Sequence, residues 1–447
     1  MVASHSLSRR KALKLGAAAA ALPLVHVRAA GAAGKVSIGF WDHWVPGAND
    51  AMRKQVAAWS DKTKVDVQTD FITSNGNKIL LTAAAEAQAR TGHDVLALYA
   101  WTALNYADSL EPIDDVMKRL TGEFGPTNPV CEYLGKRKDH WIAVPSSSGA
   151  QMKGPCGRIS VLREKAGIDV TEMYPAKEGG SPTADNWTYD TMLKAAEACQ
   201  KANMAFGLGL GQTTDSVDWA GAMFRAFGAA LVGGEGDIKV KSDEVRQVLE
   251  YAQKLVKWLP ADAASYDDAS NNRALISGKS ALIFNPPSAW AVAKRDNPSV
   301  AADCWTFPAP AGPKGRFTPY LPFFWGVWNF SPNKEAAKDL IAYLSERKQV
   351  EERCVATSGY DIPPFGSMLD FKVWEEVEPP KGTVYNYPIR PWHKTQPSIA
   401  ASEAPPEIAV QIYNRGTMPT MVAKLQSGQS IDEVIAWAQE ELEGFVR

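Results

Sequence analysis

Fifteen tryptophans in a chain of 447 residues are several times ordinary usage. Seven of them, Trp41, Trp44, Trp101, Trp219, Trp290, Trp325 and Trp392, fall at expected strand ends or in the loops just after them. An indole is broad and flat with an electron-rich face, so it packs against the C–H side of a sugar ring or against a cation. Polar side chains stand near these positions: Asp42, Asn75, Ser148, Asp215, Asp218 and Asn285. Carboxylates and amides bond paired hydroxyls, and a closed site that leaves such a group unmatched loses about 1–3 kcal/mol. Trp59, Trp258 and Trp437 sit in helical patterns, and Trp328 alternates with Phe324 and Phe330, so these four are expected in the core.

Bond-making chemistry finds little support. After residue 33 the histidines are His43, His93, His140 and His393, at no metal-ligand spacing. There is no G-x-S-x-G elbow, no phosphate-binding loop and no G-x-G-x-x-G after a strand. Gly207, Gly209 and Gly211 alternate without the third spacing. No catalytic residue, metal or cofactor is therefore assigned. A pair of carboxylates brought together by folding keeps an exported carbohydrate-active enzyme as an alternative. Five cysteines (Cys131, Cys156, Cys199, Cys304, Cys354) leave an odd thiol and room for one disulfide that the sequence does not choose.

The first 33 residues read as an address. Arg9, Arg10 and Lys11 precede an apolar run from Leu13 to Val27, with Lys14 at its start, and the small residues Ala29 to Ala33 follow. That is the layout of a signal peptide. The paired arginines resemble a twin-arginine signal, with Ala12 where that motif carries a bulky apolar residue. Without the five basic residues of this segment, the formal charge of −2 becomes about −7, 43 basic against 50 acidic residues. An acidic body argues against nucleic acid as a partner. The hydrophobic fraction of 45% and charged fraction of 22% fit a globular chain, for which this length suggests more than one domain. The localisation expected is the periplasm, as an unanchored monomer.

The elements that must carry these residues alternate. Lys35–Trp41 reads as a strand, Asn49 or Asp50 as the cap of a helix with Met52, Val56 and Trp59 inward, and Val65–Thr69 as a strand. Ile79–Ala89 reads as a helix and Asp94–Tyr99 as a strand buried on both faces. Such alternation predicts an α/β fold with a parallel sheet under helices. Thr188–Ala202 and Ser242–Trp258 read as helices and Ala281–Phe284 as a buried strand. Pro308–Pro322 reads as a connector and Phe324–Phe330 as a strand. Ser331-Pro332 is expected to cap a helix, and Ser430–Glu433 to form a capping box before the last one.

The order of short motifs resembles the extracellular solute-binding proteins of ABC importers, sugar-binding branch, over Lys35 to Phe445. Val36–Trp44 is similar to the family's opening strand and aromatic loop, Gly92-His93-Asp94-Val95 to its P-D-V step, and Leu110–Asp115 to its L-x-P-L-D-D turn. Trp141–Pro145 resembles the crossing between lobes, Asn186–Tyr189 a T-W-x-E helix start, Ile276–Ala281 the G-K-A-A element, and Ser331–Ala337 the S-x-N-K-E-A-A helix. Lys153 to Ser160 departs from the family's Y-N-K strand, with Gly154-Pro155-Cys156-Gly157 intervening.

The resemblance implies a two-lobed, type II periplasmic binding protein fold, each lobe a sheet flanked by helices. The N-terminal lobe would comprise 35–148 and 314–375, and the C-terminal lobe 149–313 and 376–447. It implies capture of a mono- or oligosaccharide between the lobes by hinge closure, with delivery to an ABC permease and no chemistry on the ligand; a cationic amine or polyol is the alternative ligand. Carried over as ligand-facing are the loop after Trp41, Ser74–Asn77 with Asn75, Tyr99, Trp101, Ser148, Asp215 to Trp219, Asn285 to Trp290, Trp325, Tyr360 and Trp392.

Overall fold

Val36, Ile38 and Phe40 are fully buried in the first strand, β1 (Lys35–Trp41). In the computed structural model, which describes residues 34–173, 181–376 and 395–446, β1 pairs in parallel with β2 (Asp66–Ile72) on one side and β3 (Val95–Tyr99) on the other. The helices Pro46–Thr63 and Lys78–Ala89 make the crossovers. The first begins earlier than the Asn49/Asp50 cap predicts, because Pro46 at its N-terminus already holds helical φ. Asn49 instead donates to Asp42 Oδ1 at 2.8 Å. Met52, Val56 and Trp59 face the core as expected.

The long strand Gly315–Val327 completes this sheet. Its last five residues run antiparallel to β3, with Phe323 opposite Tyr99 and Trp325 opposite Ala97. Its other edge takes the strand Val144–Met152, and its first residues take Thr395–Ser398 in parallel. The expected connector at Pro308–Pro322 is thus largely a buried strand. Proline breaks a ladder by removing an N–H, and here the break is absorbed. The register slips between Leu321 and Phe323, around Pro322, and the Pro319 and Pro322 carbonyls still accept from Lys153 N at 2.8 Å and Ala100 N at 3.1 Å.

A second, three-stranded sheet sets Cys156–Arg158 between Leu282–Ile283 and Cys304–Thr306. The chain leaves the large sheet at Met152, crosses through Lys153-Gly154-Pro155, and returns from Thr306 to Gly315. The Gly154–Gly157 departure is this crossing. A Cβ on Gly157 would lie 2.4 Å from Leu162 Cδ1, so the strand approaches its helical cover closer than any side chain permits.

Helices Tyr189–Lys201, Thr214–Phe227, Asp243–Leu255, Thr417–Gln426 and Ile431–Val446 cover this half. Thr188 and Ser242 cap two of them. Ser430 and Glu433 form the reciprocal capping box, Ser430 N to Glu433 Oε2 at 2.7 Å and Glu433 N to Ser430 Oγ at 3.3 Å. Ser331 does not cap in the expected way. The helix starts at Lys334, and Ser331 Oγ donates to Asp94 Oδ1 at 2.5 Å while accepting from Asn333 N.

Of the expected core tryptophans, Trp59 and Trp328 are fully buried. Trp258 and Trp437 are only half-buried, each with a lysine ammonium, Lys201 and Lys424, over the outer ring face. All five cysteines are buried free thiols. Among the described residues no helix is long and apolar enough to cross a membrane. Residues 1–33, with the expected signal, lie outside the described residues.

Candidate functional site

The C-terminal ends of β1 and β3 deliver Trp41 and Tyr99, at the sheet edge where open α/β folds place ligands. Phe323, on the long strand, lies between them, 5.2 Å from the Trp41 ring and 5.5 Å from Tyr99. Tyr360 closes the row, 6.1 Å from Trp41 and 4.6 Å from His43. Gly149, at φ +91, lets the crossing strand pass beneath; a Cβ there would stand 2.9 Å from both Trp41 and Phe323.

One carboxylate fixes this wall. Asp361 Oδ1 accepts from Gly149 N and from His43 Nε2, both at 2.9 Å. His43 Nδ1 accepts from Val45 N at 2.9 Å, so the ring proton must sit on Nε2 and point at Asp361. The aromatic loop after β1 is thereby tied to the Tyr360 loop.

The opposite wall is ionic. Lys153, at the start of the crossing, is fully buried and donates to Asp215 Oδ1 at 2.7 Å and Asp218 Oδ2 at 2.8 Å. Both aspartates stand on the first turns of Thr214–Phe227, where the helix dipole favours negative charge. Burial alone would push the Lys153 ammonium toward deprotonation; the two carboxylates overcome it and hold it above its ordinary range. Asp215 Oδ2 accepts from Asn271 and Asn285, each at 2.8 Å, and Asp218 Oδ1 from the Tyr413 hydroxyl at 2.8 Å. Asp268, in the loop before Ser270–Ile276, is pushed up to about 7 by burial and then by the charge of Asp215.

Between the walls lies a small cavity of about 40 Å³ lined by Trp41, Trp44, Tyr99 and Tyr360 on one side and Lys153, Asp215, Asp268 and Asn285 on the other. Several buried polar atoms of its lining have no hydrogen-bond partner: Trp41 Nε1, Gln151 Oε1, Asn285 Oδ1 and Asp268 Oδ1. Unpaired buried polar atoms cost about 1–3 kcal/mol each. Four residues of one lining carry such an atom.

The structure therefore brings together Trp41, Trp44, Tyr99, Asp215, Asn285 and Tyr360 from the expected set, with Asp218 behind them. Asp42 is exposed beside the aromatic loop, bonded to Asn49. Asn75 is exposed, next to Ser74, which lines the cavity. Ser148 is half-buried in the crossing strand and donates its amide to Ser146 Oγ.

Four tryptophans do not join this cavity. Trp219 lines a smaller one, and its Nε1 donates to Gly209 O. Trp101 is fully buried against Tyr133, and its Nε1 donates to Ala400 O at 3.1 Å. Trp325 is packed among Phe40 and the Arg353 guanidinium, and Trp290 in the small core of the second sheet. The indole at a strand end is here more often an inward anchor than a platform. Trp392 lies outside the described residues.

Sequence reasoning missed Gln151, Lys153, Thr214, Asp268, Leu321 and Phe323. Lys153 carried a readable signal, a lone charge in the apolar stretch Ala150–Cys156. Asp268 carried none.

Two α/β sheets joined by crossing strands, with a polar and aromatic cavity at the junction, define a two-lobed binding protein of the type II periplasmic architecture. The sequence profile described as "Bacterial extracellular solute-binding protein" matches residues 54–379, and the chain belongs to that family. Solved structures with the same fold include maltose-bound MalE3 of T. maritima, at 18% identity and TM-score 0.71, covering 92% of this chain and 100% of that one. A solute-binding protein from Thermotoga lettingae bound to α-D-tagatose aligns at 16% and 0.70, over 93% and 100%. A sugar transporter from Arthrobacter chlorophenolicus with laminaribiose aligns at 18% and 0.69, over 92% and 99%. No curated protein sequence matches.

Proposed function

We propose that this solute-binding protein captures a carbohydrate in the cavity between Trp41 and Asp215 and delivers it to an ABC permease. The observation that carries the reading is an aromatic wall facing residues with unpartnered hydrogen-bonding atoms across one cleft. Ring faces pack on the aromatics and hydroxyls meet the orphaned atoms. The sugars bound by the three structural neighbours are in keeping with this ligand class.

The lobes run over 35–148 with 314–375 and over 149–313 with 376–447, and they close by rotation about the crossing strands, a motion for which periplasmic binding proteins are a standard example. The protein acts as a monomer in the periplasm after export through the Arg9-Arg10 signal, and it does not turn its ligand over. The test is a thermal-shift and calorimetric series with glucose, tagatose, maltose and laminaribiose. A specific sugar raises the melting temperature with the logarithm of its concentration over Kd and is recovered unchanged by mass spectrometry. If every sugar in a broad panel leaves the melt unmoved at millimolar concentration, the carbohydrate reading fails.

A further inference from the structure

We infer that the preferred ligand is an amino sugar, a saccharide carrying a protonated amine that pairs with Asp268. The inference rests on the carbohydrate reading and sharpens it.

It follows from which charges at the cavity are already matched. Lys153 is the one basic group in the described lining, and it is consumed by Asp215 and Asp218. Those two carboxylates also take the Asn271, Asn285 and Tyr413 donors, so their remaining oxygens are occupied. Asp268 is a third carboxylate with no cation in hydrogen-bond reach; the Lys153 charge acts on it only through space. Its neighbour Arg273 pairs with Asp267 Oδ1 at 2.9 Å, and the Ala269 amide donates to Asp267 too. Asp268 lines the cavity, and its Oδ1 is buried and unpartnered.

The other orphaned atoms have the same polarity. Asn285 Oδ1 and Gln151 Oε1 are acceptors on side chains only 5% exposed; Trp41 Nε1 is the lone donor. Neutral hydroxyls satisfy acceptors, but they leave the half-buried Asp268 to its own protonation, pushed up to about 7, whereas a cation beside it would hold it ionised. An ammonium on a sugar ring does both, and the ring keeps its C–H face for Trp41 and Trp44. A simple amine lacks the hydroxyls for Asn285 and Gln151. An anionic sugar would add to a surplus of negative charge.

The experiment is calorimetric titration of the protein at pH 7 with D-glucosamine, D-galactosamine and their β-1,4 disaccharides. Each is paired with its N-acetylated form and its parent neutral sugar. The amine should bind at least tenfold tighter than both uncharged partners, and raising salt should narrow the gap. In Asp268→Asn the ratio should fall to about one or two, whatever happens to the absolute affinities. Neutral sugars binding as tightly as the amines to the unmodified protein would overturn the amine while leaving the carbohydrate reading in place. Binding of putrescine or choline with no sugar bound would overturn both, as would no binding at all. The comparison on the unmodified protein decides the question even if Asp268→Asn does not fold.

Discussion

Replacing Lys153 by Met keeps the length of the stem and removes only the charge. Asp215 and Asp218 are then left buried side by side with no cation, their amide and hydroxyl donors intact. Breaking a buried pair by deleting one partner costs about 3–5 kcal/mol. Unfolding entropy near 2.1 cal/mol/K per residue, over the roughly 400 residues of Lys35–Arg447, gives about 0.9 kcal/mol/K. The melting temperature should therefore drop by about 3–6 °C at pH 7.5. The loss should also depend on pH. In the parent, Lys153 has its ammonium raised above the ordinary range, so its contribution is constant through the neutral region and lost only at strongly alkaline pH. In the variant the orphaned carboxylates have raised folded-state values; they bind protons more readily folded than unfolded, and stability falls as pH rises from about 4. The deficit should be smallest near pH 5 and grow toward pH 8. Adding Asp218→Asn should recover part of it. Scanning calorimetry from pH 5 to 8 checks this. A variant that melts within 1 °C of the parent at pH 7.5, or whose deficit is the same at every pH, would refute the ionic account of this wall.

Trp44→Ala, at a half-buried lining position, should weaken ligand about tenfold, on the order of 1–2 kcal/mol, with little change in melting; calorimetric titration measures it. Trp290→Ala should instead cost about 3–5 kcal/mol of stability by opening a void in the small core, and leave affinity alone in the protein that folds. Trp437→Ala, on a half-buried surface under Lys424, should cost clearly less than Trp290→Ala in the same melts. Asp268, pushed up to about 7 against an unfolded value near 3.9, binds more protons folded than unfolded between those limits, so the ligand-free protein should lose stability as pH rises from 4 to 7, and Asp268→Asn should flatten that slope. Thiol titration without reductant should find the native protein unreactive and five thiols after denaturation; three would mean that a disulfide had formed.

The alternating pattern from Lys35 to Tyr99 was legible because local hydrophobic periodicity and the sheet agree there. Pro308–Pro322 was not, since Pro319 and Pro322 carry a turn-like local signal that two strand neighbours override. The site was half legible. Trp41, Trp44 and Asp215 follow from their places at strand ends and a helix start. Trp101 and Trp290 have the same sequence setting, and only packing tells an anchor from a platform. Asp268 becomes informative only when Arg273 is seen to pair with Asp267 instead.

The strand Gly315–Val327 also has a consequence for biosynthesis. It pairs with β3, whose residues leave the ribosome 228 positions before Val327 does. At roughly 5–20 residues per second, the edge of β3 waits on the order of 10–50 s for its partner. During that interval Val95–Tyr99, apolar on both faces, presents an unpaired rim of the kind that aggregates. No amount of early folding can close the first sheet, because its central strand is encoded after the second. Nascent chains should therefore need a holding chaperone until that strand is made, nearly three quarters of the way along the chain, and a route that transports finished folds would suit a protein whose first half cannot be completed alone.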